Sequence, residues 1–543
     1  MDFREKTYEG VGALSALTMA VFERCGLRDV IAEALGPAGA GRDLPVPSVV
    51  KMAVGAMTAP FDRIALSRFG EFYASAPVDM LFGEGLTKDS LNGTSVARAL
   101  DVLYGAADLE ELSWRCSEMC CEVYGLSSDI YHLDATNVPV YAVVEYLPDG
   151  GAPSAQFGGN SKTNRNDLRQ YDAMAVADGN RVLRYLRTYS GNTGDAEMDA
   201  DALEFLRTHI DTERSVCVAD CKIVSKALVE GMCAMGLGFV SRCPEGFSEK
   251  VRETIVRSVG SSYLEESSLG EGYGTYDTDA DTVCGPLRFI AYRTPKDRER
   301  EVAYYREQGE RLLSRAFSKP LRTEYHCRED AEAAAEAAAA SVGDMGYRVR
   351  YAVSEGGRPV RRASRGRPPK GSPPPETETF WTLEASWEFD EAAASALAEG
   401  EEIQVLVTNL PRANEDAGNI RFGATADTVV RTYLDEYKPE HVFRLLKSGI
   451  GMDRVYLHRG SRVAAMFFIA GVAGTLLSVM DEMLRRGNAD MTTYRMRLGL
   501  HDTTVRVKRT TGYTYIDGHP GAGAEIESYC RIFGLEPELM LGM

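Results

Sequence analysis

The feature that most limits the possible folds is a change of pattern near residue 128. Before it, LSALTMAVFERCGLRDVIAEAL and TSVARALDVLYGAADLEELSWRCSEMCCEVYG repeat apolar residues at helical spacing. After it, IYHLDATNVPVYAVV, YDAMAVAD and VLRYLRTYS have the pattern of strands, and helical segments then alternate with the strand-like SVCVAD and GLGFVSRC. Three strands followed by alternating helices and strands predict an α/β fold, a mixed sheet with helices packed on it.

Composition shifts along the chain predict four regions. We expect a helical N-terminal domain at 1–125, with a role in DNA binding or assembly, and an α/β domain formed by 126–245 together with 425–486. A β-rich insertion is expected at 246–424, and a C-terminal tail at 487–543 carries no pattern that assigns it a role. Within the insertion, the alanine-rich AEAAAEAAAA predicts a simple surface helix.

The charge balance limits how this chain could bind DNA. Its 543 residues carry a formal net charge of −19, which on average repels phosphates. A DNA-binding protein of this composition must concentrate its Lys and Arg locally. One such cluster follows the first strand and contains Lys162, Arg165 and Arg169.

A second basic cluster lies in the Pro-rich stretch 358–375. Its members include Arg358, Arg365, Arg367 and Lys370. The Arg-Gly-Arg-Pro sequence that begins at Arg365 resembles the core of an AT-hook, whose arginines enter the minor groove of A·T-rich DNA. The alternative interpretation is a flexible, solvated linker between β elements.

One segment tests whether the chain is soluble. Residues 463–480 contain no charge, and the length of this stretch is the lower limit for a membrane span. However, Gly471 and Gly474 make the segment less apolar, and charged residues flank it. We therefore expect a buried core helix. The start, MDFREKTYEG, lacks the apolar region of a signal peptide, and the 11 scattered cysteines favour free thiols in a reducing cytoplasm.

Two aspartates stand within or at the end of apolar strands. Asp134 lies inside YHLDAT, and Asp220 ends SVCVAD. A carboxylate in a buried strand carries a desolvation cost unless it is paired or coordinates a metal. On neighbouring strands, the two could hold a divalent cation through hard oxygen ligands. The alternative role for Asp220 is to cap the helical segment that follows it.

A third carboxylate, Glu440, follows in TYLDEYKPEHVFRLLK. Tyr433, Glu436, Glu440 and Lys447 recur at helical spacing and would lie on one face. Pro439 could also start a new helix, with Glu440 in its first turn. An ordinary solvated helix face is the alternative.

Together these segments resemble insertion-sequence DDE transposases, in the group marked by Tyr-x2-Arg-x3-Glu-x6-Lys around the last carboxylate. The chain has Tyr433, Glu440 and Lys447 at that spacing. It is also similar in LDATNVPVY, in VADCKIVSKALVEGM, in the GNTGD element at 191–195 and in the basic loop SKTNRNDLRQ. The resemblance runs from about 10 to 480. It implies a ribonuclease-H-like catalytic domain with a β-rich insertion before the third carboxylate.

The resemblance also implies a mechanism, metal-dependent cleavage and strand transfer of DNA at the ends of the element. Asp134, Asp220 and Glu440 would be the catalytic residues and would hold two Mg²⁺ ions roughly 3.5–4 Å apart, for which Mn²⁺ can substitute. Water would cut the phosphodiester and free a 3′-hydroxyl, which would then attack the target DNA. Lys447 would hold a DNA phosphate, and Tyr433 would bond or stack near the cut.

The implied partners are double-stranded DNA, at the terminal inverted repeats and at the target, and further copies of the chain in a homodimer or higher oligomer. No membrane is involved, and the expected location is the cytoplasm of a prokaryote. The Lys162, Arg165 and Arg169 cluster corresponds to the basic loop that faces DNA in the family.

One residue departs from the family pattern. Glu436 stands where the group usually has Arg, and a carboxylate cannot replace a guanidinium that grips phosphate. This departure favours the alternative of a domesticated or inactive derivative that binds DNA without cutting it. A metal-dependent phosphatase is a third option, but it would need an aspartate two residues after Asp134, where this chain has Thr136.

Overall fold

The structure, a computed structural model, describes most of the chain in fourteen segments. The described residues are 6–40, 44–59, 64–141, 150–157, 167–247, 250–259, 264–360, 376–398, 403–435, 442–450, 457–488, 491–510, 513–518 and 523–536.

The helices and strands of these segments are numbered in chain order. The helices are α1 (Ala13–Arg24), α2 (Leu27–Leu35), α3 (Val46–Thr58), α4 (Phe69–Phe72), α5 (Val78–Phe82), α6 (Gly93–Ala106), α7 (Leu109–Tyr124), α8 (Asp195–His209), α9 (Lys226–Ala234), α10 (Val251–Val259), α11 (Pro295–Phe317), α12 (Arg328–Ala340), α13 (Glu391–Leu397), α14 (Ala426–Leu434), α15 (Gly460–Gly487), α16 (Thr493–Gly499) and α17 (Gly523–Phe533). The strands are β1 (Lys6–Gly12), β2 (Ile130–Val140), β3 (Gln156–Phe157), β4 (Arg169–Asp178), β5 (Leu183–Ser190), β6 (Val216–Ala219), β7 (Gly238–Arg242), β8 (Glu265–Glu266), β9 (Gly274–Thr282), β10 (Gly285–Arg293), β11 (Tyr347–Pro359), β12 (Thr377–Phe389), β13 (Gln404–Thr408), β14 (Thr504–Thr510) and β15 (Tyr513–Gly518).

The chain divides into two compact units. The first contains Met1–Pro244 and Thr408–Met543, and the second contains Glu245–Val407. The first unit therefore combines the N-terminal helices, the strands that carry both predicted aspartates, and the C-terminal segments.

The N-terminal helices follow the predicted apolar periodicity. Gly26 separates α1 from α2 in a left-handed conformation with φ of 63°, which glycine adopts without steric cost. Asp108 caps α7, because its carboxylate accepts hydrogen bonds from the backbone N–H groups of Glu110 and Glu111. The helical pattern of this region is thus set locally by turn and cap residues.

The sheet of the first unit is mixed, as the pattern predicted. Its strands lie in the order β3-β4-β2-β6-β7, and β5 also pairs with β4. The β2, β4 and β5 strands are antiparallel neighbours, whereas β6 is parallel to both β2 and β7. Parallel neighbours need crossover connections, and α8 and α9 occupy the two connections that lead to β6 and β7.

The long apolar helix α15 is a core helix. It is long and apolar enough to cross a membrane, with a mean hydropathy of 2.2, but 94% of that apolar window is buried inside the protein. It packs against α3, α6, α7 and β5. Thr475 Oγ1 donates to the Leu183 carbonyl at 2.8 Å, and Ser478 Oγ accepts from the Leu183 N–H at 3.2 Å. The uncharged polar residues of α15 therefore satisfy backbone groups on the edge strand β5.

The C-terminal segment returns to the beginning of the chain. β14 pairs with β1 and with β15, both antiparallel. Beside it, the Tyr124 hydroxyl at the end of α7 donates to the Phe533 carbonyl of α17 at 3.0 Å. The tail, to which the sequence assigned no role, thus forms a small sheet with the N-terminal strand at its edge.

The second unit is built on two antiparallel pairs, β9 with β10 and β11 with β12. Leu383 of β12 shares a buried apolar cluster with Leu313 and Phe317 of α11. The predicted surface helix is α12, and it is only partly exposed, because Ala335 and Ala338 belong to this cluster. Alanine permits close packing at positions that face a neighbouring helix. Composition alone does not distinguish such buried alanines from alanines on a solvated helix face.

A buried ion pair fixes the turn between β4 and β5. The Asp178 carboxylate is fully buried, lies 3.4 Å from Arg184 Nη1, and accepts from the N–H groups of Asn180 at 2.8 Å and Val182 at 3.1 Å. We predict that Asp178→Ala lowers the free energy of unfolding by about 3–5 kcal/mol, because the substitution leaves a buried guanidinium without its partner. Chemical denaturation measures this loss. Asp211→Ala, which removes an exposed carboxylate, should change the free energy by less than about 0.5 kcal/mol, and equal losses in both variants would contradict the argument.

Candidate active site

The two predicted aspartates lie side by side in the sheet. β2 and β6 are parallel with Leu133 opposite Ala219, so the next residues on each strand, Asp134 and Asp220, are neighbours about 4.8 Å apart at the backbone. Asp220 keeps an extended conformation beyond the end of β6, with φ of −66° and ψ of 169°. Both side chains therefore project from the same face of the sheet.

Arg242 continues this row on the next strand. Ala219 is opposite Ser241 in the parallel pair of β6 and β7, which places Arg242 beside Asp220. Arg242 Nη2 lies 3.4 Å from Asp220 Oδ1, and nearly half of each side chain is exposed. Asp134, Asp220 and Arg242 thus form a row across three adjacent parallel strands, which we call the carboxylate row.

Neighbouring charge and burial shift the pKa of Arg242 in opposite directions. Burial alone would lower the pKa of its guanidinium, but contact with the Cys221 sulfur and the charge of Asp220 outweigh burial and raise that pKa. For the Cys221 thiol, burial and the Asp220 charge outweigh Arg242 and raise the pKa. The row consequently keeps a fixed positive charge, and its neighbouring thiol stays protonated at neutral pH.

The Lys447 side chain reaches the face of the sheet that carries Asp134. Its Nζ donates to Thr136 Oγ1 at 2.5 Å and lies 5.9 Å from the centre of the Phe443 ring. Thr136 is two residues from Asp134 on β2, so both side chains are on one face of the sheet. Lys447 itself belongs to a π-helical turn, Leu445–Gly449, a local distortion that is frequent at functional sites.

Tyr433 belongs to α14. Its side chain is largely buried, and α14 packs on β6 and β7. The structure therefore brings Asp134, Asp220 and Lys447 to one face of the sheet, and it places Tyr433 on a helix that packs on β6 and β7.

The third predicted carboxylate lies outside the described residues. Glu440, Glu436 and Pro439 all fall in the gap between Asp435 and Val442, so their positions are not described. Within the described ranges, no group of three or more His, Cys, Asp or Glu side chains is placed to hold a metal ion. Asp134 and Asp220 supply two carboxylates, which are the hard oxygen ligands that Mg²⁺ prefers.

Most of the predicted DNA-binding cations also lie outside the described residues. These are Lys162, Arg165, Arg365, Arg367 and Lys370. Arg169 is described, and it is exposed at the start of β4. Arg358, at the end of β11, forms ion pairs with Glu324 at 2.7 Å and Glu378 at 3.1 Å, so part of its charge is neutralised within the chain.

The GNTGD element forms a turn between β5 and α8. The Thr193 N–H donates to Asp172 Oδ2 at 3.1 Å, and Asp172 also accepts from Asn137 Nδ2 at 2.6 Å. Asp195 forms an ion pair with Lys222, which lies two residues after Asp220. The element therefore ties the antiparallel strands to the loop that holds the second aspartate.

Arg242 and the Thr136–Lys447 contact were not identified from the sequence. A signal for Arg242 was present, because it is the next-to-last residue of the strand-like GLGFVSRC, while Asp220 ends SVCVAD, and the carboxyl ends of parallel strands meet at one edge. Thr136 carries no comparable signal, since a threonine in a strand is ordinary.

The N-terminal helices match the model of a known protein family. Residues 13–114 match a family model described as a domain of unknown function, DUF4277. The matched segment begins with α1 and ends within α7. No curated protein matches the chain.

Proposed function

We propose that the protein is a DDE transposase, which cuts DNA at the ends of an insertion sequence and joins those ends to a target. The carboxylate row carries this proposal, because it places Asp134 and Asp220 side by side with cations on the same face. The N-terminal match adds support, since that domain family is often found in transposases.

The sheet supports the finer assignment to a ribonuclease-H-like fold. Three antiparallel strands, β2, β4 and β5, are followed by the parallel strands β6 and β7 with helical crossovers. In this arrangement the aspartates of β2 and β6 are neighbours, as a shared metal site requires.

Asp134 and Asp220 would hold Mg²⁺ together with Glu440, and Mn²⁺ can substitute. When bound, the metal ions would activate the attacking oxygen and stabilise the leaving oxygen of an in-line displacement. The two carboxylates themselves keep negative charge fixed on adjacent strands. Strands hold such groups in place more rigidly than loops would.

Arg242 and Lys447 would bind the phosphate groups of the DNA strand. Arg242 is half exposed beside Asp220, and Lys447 has a hydroxyl acceptor, Thr136, that holds it on the sheet face. A guanidinium matches phosphate geometry with two parallel donors. We infer that Arg242 supplies the guanidinium that the family pattern places at 436, where this chain has Glu436.

The protein would act on double-stranded DNA, at terminal inverted repeats and at the target, as a homodimer or higher oligomer in a prokaryotic cytoplasm. The basic segments that include Lys162 and Arg365 would concentrate positive charge in a chain whose net charge is −19.

A second candidate is a derivative that binds DNA without cutting it. Glu436 favours this candidate, because a carboxylate at that position repels the strand that the family's arginine would bind.

Metal removal tests the proposed function. The purified chain is incubated with labelled DNA that carries the element's own terminus and flanking sequence. We expect nicking at the terminus with Mg²⁺ or Mn²⁺, complete loss with EDTA, and recovery when Mg²⁺ is restored. Binding without nicking under every metal condition, with both ends present, would instead identify the non-cleaving derivative.

A further inference from the structure

An exposed aromatic side chain stands at the edge of the sheet, away from the carboxylate row. Phe157 of β3 is 56% exposed. The Arg169 guanidinium carbon lies 5.3 Å from the centre of the Phe157 ring. A single exposed phenylalanine needs no explanation, but a planar cation over its ring forms a mixed aromatic and cationic surface.

The backbone that carries Phe157 is held on several sides. Gln156 and Phe157 pair with Gln170 and Arg169 of β4. Asn192, in a left-handed conformation with φ of 70°, donates its side-chain amide to the Phe157 carbonyl. The surface is therefore presented by a rigid strand, as a binding site requires.

The GNTGD turn provides that rigidity. The Gly191 N–H donates to the Ser154 carbonyl at 3.0 Å, and Ser190 Oγ accepts from the Ser154 N–H at 2.9 Å. A Cβ at Gly191 would lie 2.3 Å from the Gln170 carbonyl oxygen, so only glycine fits this approach. The turn thus links the Phe157 surface to the Asp195–Lys222 ion pair beside Asp220.

Phe157 and the carboxylate row share one face of the sheet. Phe157 is opposite Arg169, Arg169 is opposite Val140, and Val140 lies on the same face of β2 as Asp134. Asp134 and Val140 are six residues apart, roughly 20 Å along the strand, and two strand spacings add about 10 Å across the sheet. Phe157 and Asp134 are therefore roughly 22 Å apart.

We propose that Phe157 and Arg169 form a stacking platform for an unpaired base of the DNA substrate. Aromatic rings and guanidinium planes both stack on nucleobases regardless of sequence. Val138 and Tyr171, which lie between Asp134 and Phe157 on this face, are buried, so a DNA strand must pass around this packed region. At about 3.4 Å per nucleotide, the stacked base is therefore at least about six nucleotides from the cleaved phosphodiester. The sequence that follows Phe157 contains Lys162 and Arg165, which suits a polyanionic partner rather than an apolar protein surface.

This inference rests on the proposed function, so its test separates base stacking from cleavage. A series of terminal DNA duplexes carries the fluorescent base 2-aminopurine opposite a mismatch, at successive positions from the cleavage site. Stacking quenches this base. In the Asp220→Asn protein, we expect quenching to peak at one position, at least about six nucleotides from the cleavage site.

Two variants at one position test the ring itself. Phe157→Leu removes the aromatic face and should abolish the local quenching and weaken binding of single-stranded DNA roughly 5- to 100-fold, whereas Phe157→Trp should retain both. Phe422→Leu is the matched control, because Phe422 is 58% exposed and lies outside the platform. It should leave quenching and binding unchanged.

The outcomes separate the two proposals. Cleavage by the wild-type chain with identical quenching in Phe157→Leu overturns the platform and leaves the transposase intact. Quenching that depends on Phe157 in a chain that never cleaves supports the platform and overturns the enzyme. Absence of DNA binding overturns both.

Discussion

Asp220→Asn is expected to abolish DNA cleavage while DNA binding persists. Asparagine has the size of aspartate but lacks the charge that holds a divalent cation, and a bound metal contributes several kcal/mol to the stabilisation of the transition state. The cleavage rate should fall at least roughly 10³-fold, since each 1.36 kcal/mol changes a rate tenfold. The measurement is the rate of nicking of end-labelled terminal DNA, resolved on a denaturing gel.

Asp134→Asn should give the same loss, because both carboxylates belong to one row. Binding measured by fluorescence anisotropy should stay equal or become slightly tighter, since a negative charge near the phosphates is removed. Asp279→Asn changes an exposed carboxylate of the second unit and serves as the matched control. Cleavage by either row variant at more than about a tenth of the wild-type rate would exclude these aspartates from the chemistry.

Arg242→Ala is expected to lower the cleavage rate roughly 100- to 1,000-fold, the usual cost of removing one charge-stabilising donor from an active site. Its guanidinium lies 3.4 Å from Asp220, and both side chains are half exposed, so a phosphate can reach the two together. Arg242→Lys should recover only part of the rate, because an ammonium group cannot form the two parallel bonds of a guanidinium. Single-turnover cleavage measures these effects without interference from product release.

A second substitution tests whether Arg242 replaces the family's missing arginine. If it does, Glu436→Arg should restore part of the cleavage lost in Arg242→Ala. Arg207→Ala is the control, because Arg207 is exposed on α8 and pairs locally with Glu204. An unchanged rate in Arg242→Ala would contradict the phosphate-binding role, and no rescue at 436 would limit the role to Arg242 itself.

Much of the local structure was predictable because it depends on neighbours along the chain. The helical periodicity before residue 125 and the apolar strands around Asp134 and Asp220 are local patterns, and the structure places helices and strands there. The α/β class followed from the order of these elements. The charge-free segment at 463–480 was predicted to be a buried core helix, and the helix there is buried inside the protein.

The composition of the site depended on strand register, which sequence patterns specify poorly. Asp134, Asp220 and Arg242 are neighbours because Leu133 lies opposite Ala219 and Ala219 lies opposite Ser241. A one-residue shift in either pairing would move one member of the row to the other face. Packing of both sheet faces against helices sets that register, and such packing is a property of the folded chain.

The sequence by itself determined the fold class, the strand positions of two catalytic candidates and the spacing of Tyr433 with Lys447, because each depends on residues close together in the chain. Only the tertiary structure decided that Arg242 joins the carboxylate row, that Thr136 holds Lys447, and that β14 pairs with β1. Each of these contacts joins residues separated by more than twenty positions. Their formation depends on how much apolar surface the whole chain buries, and not on any local preference.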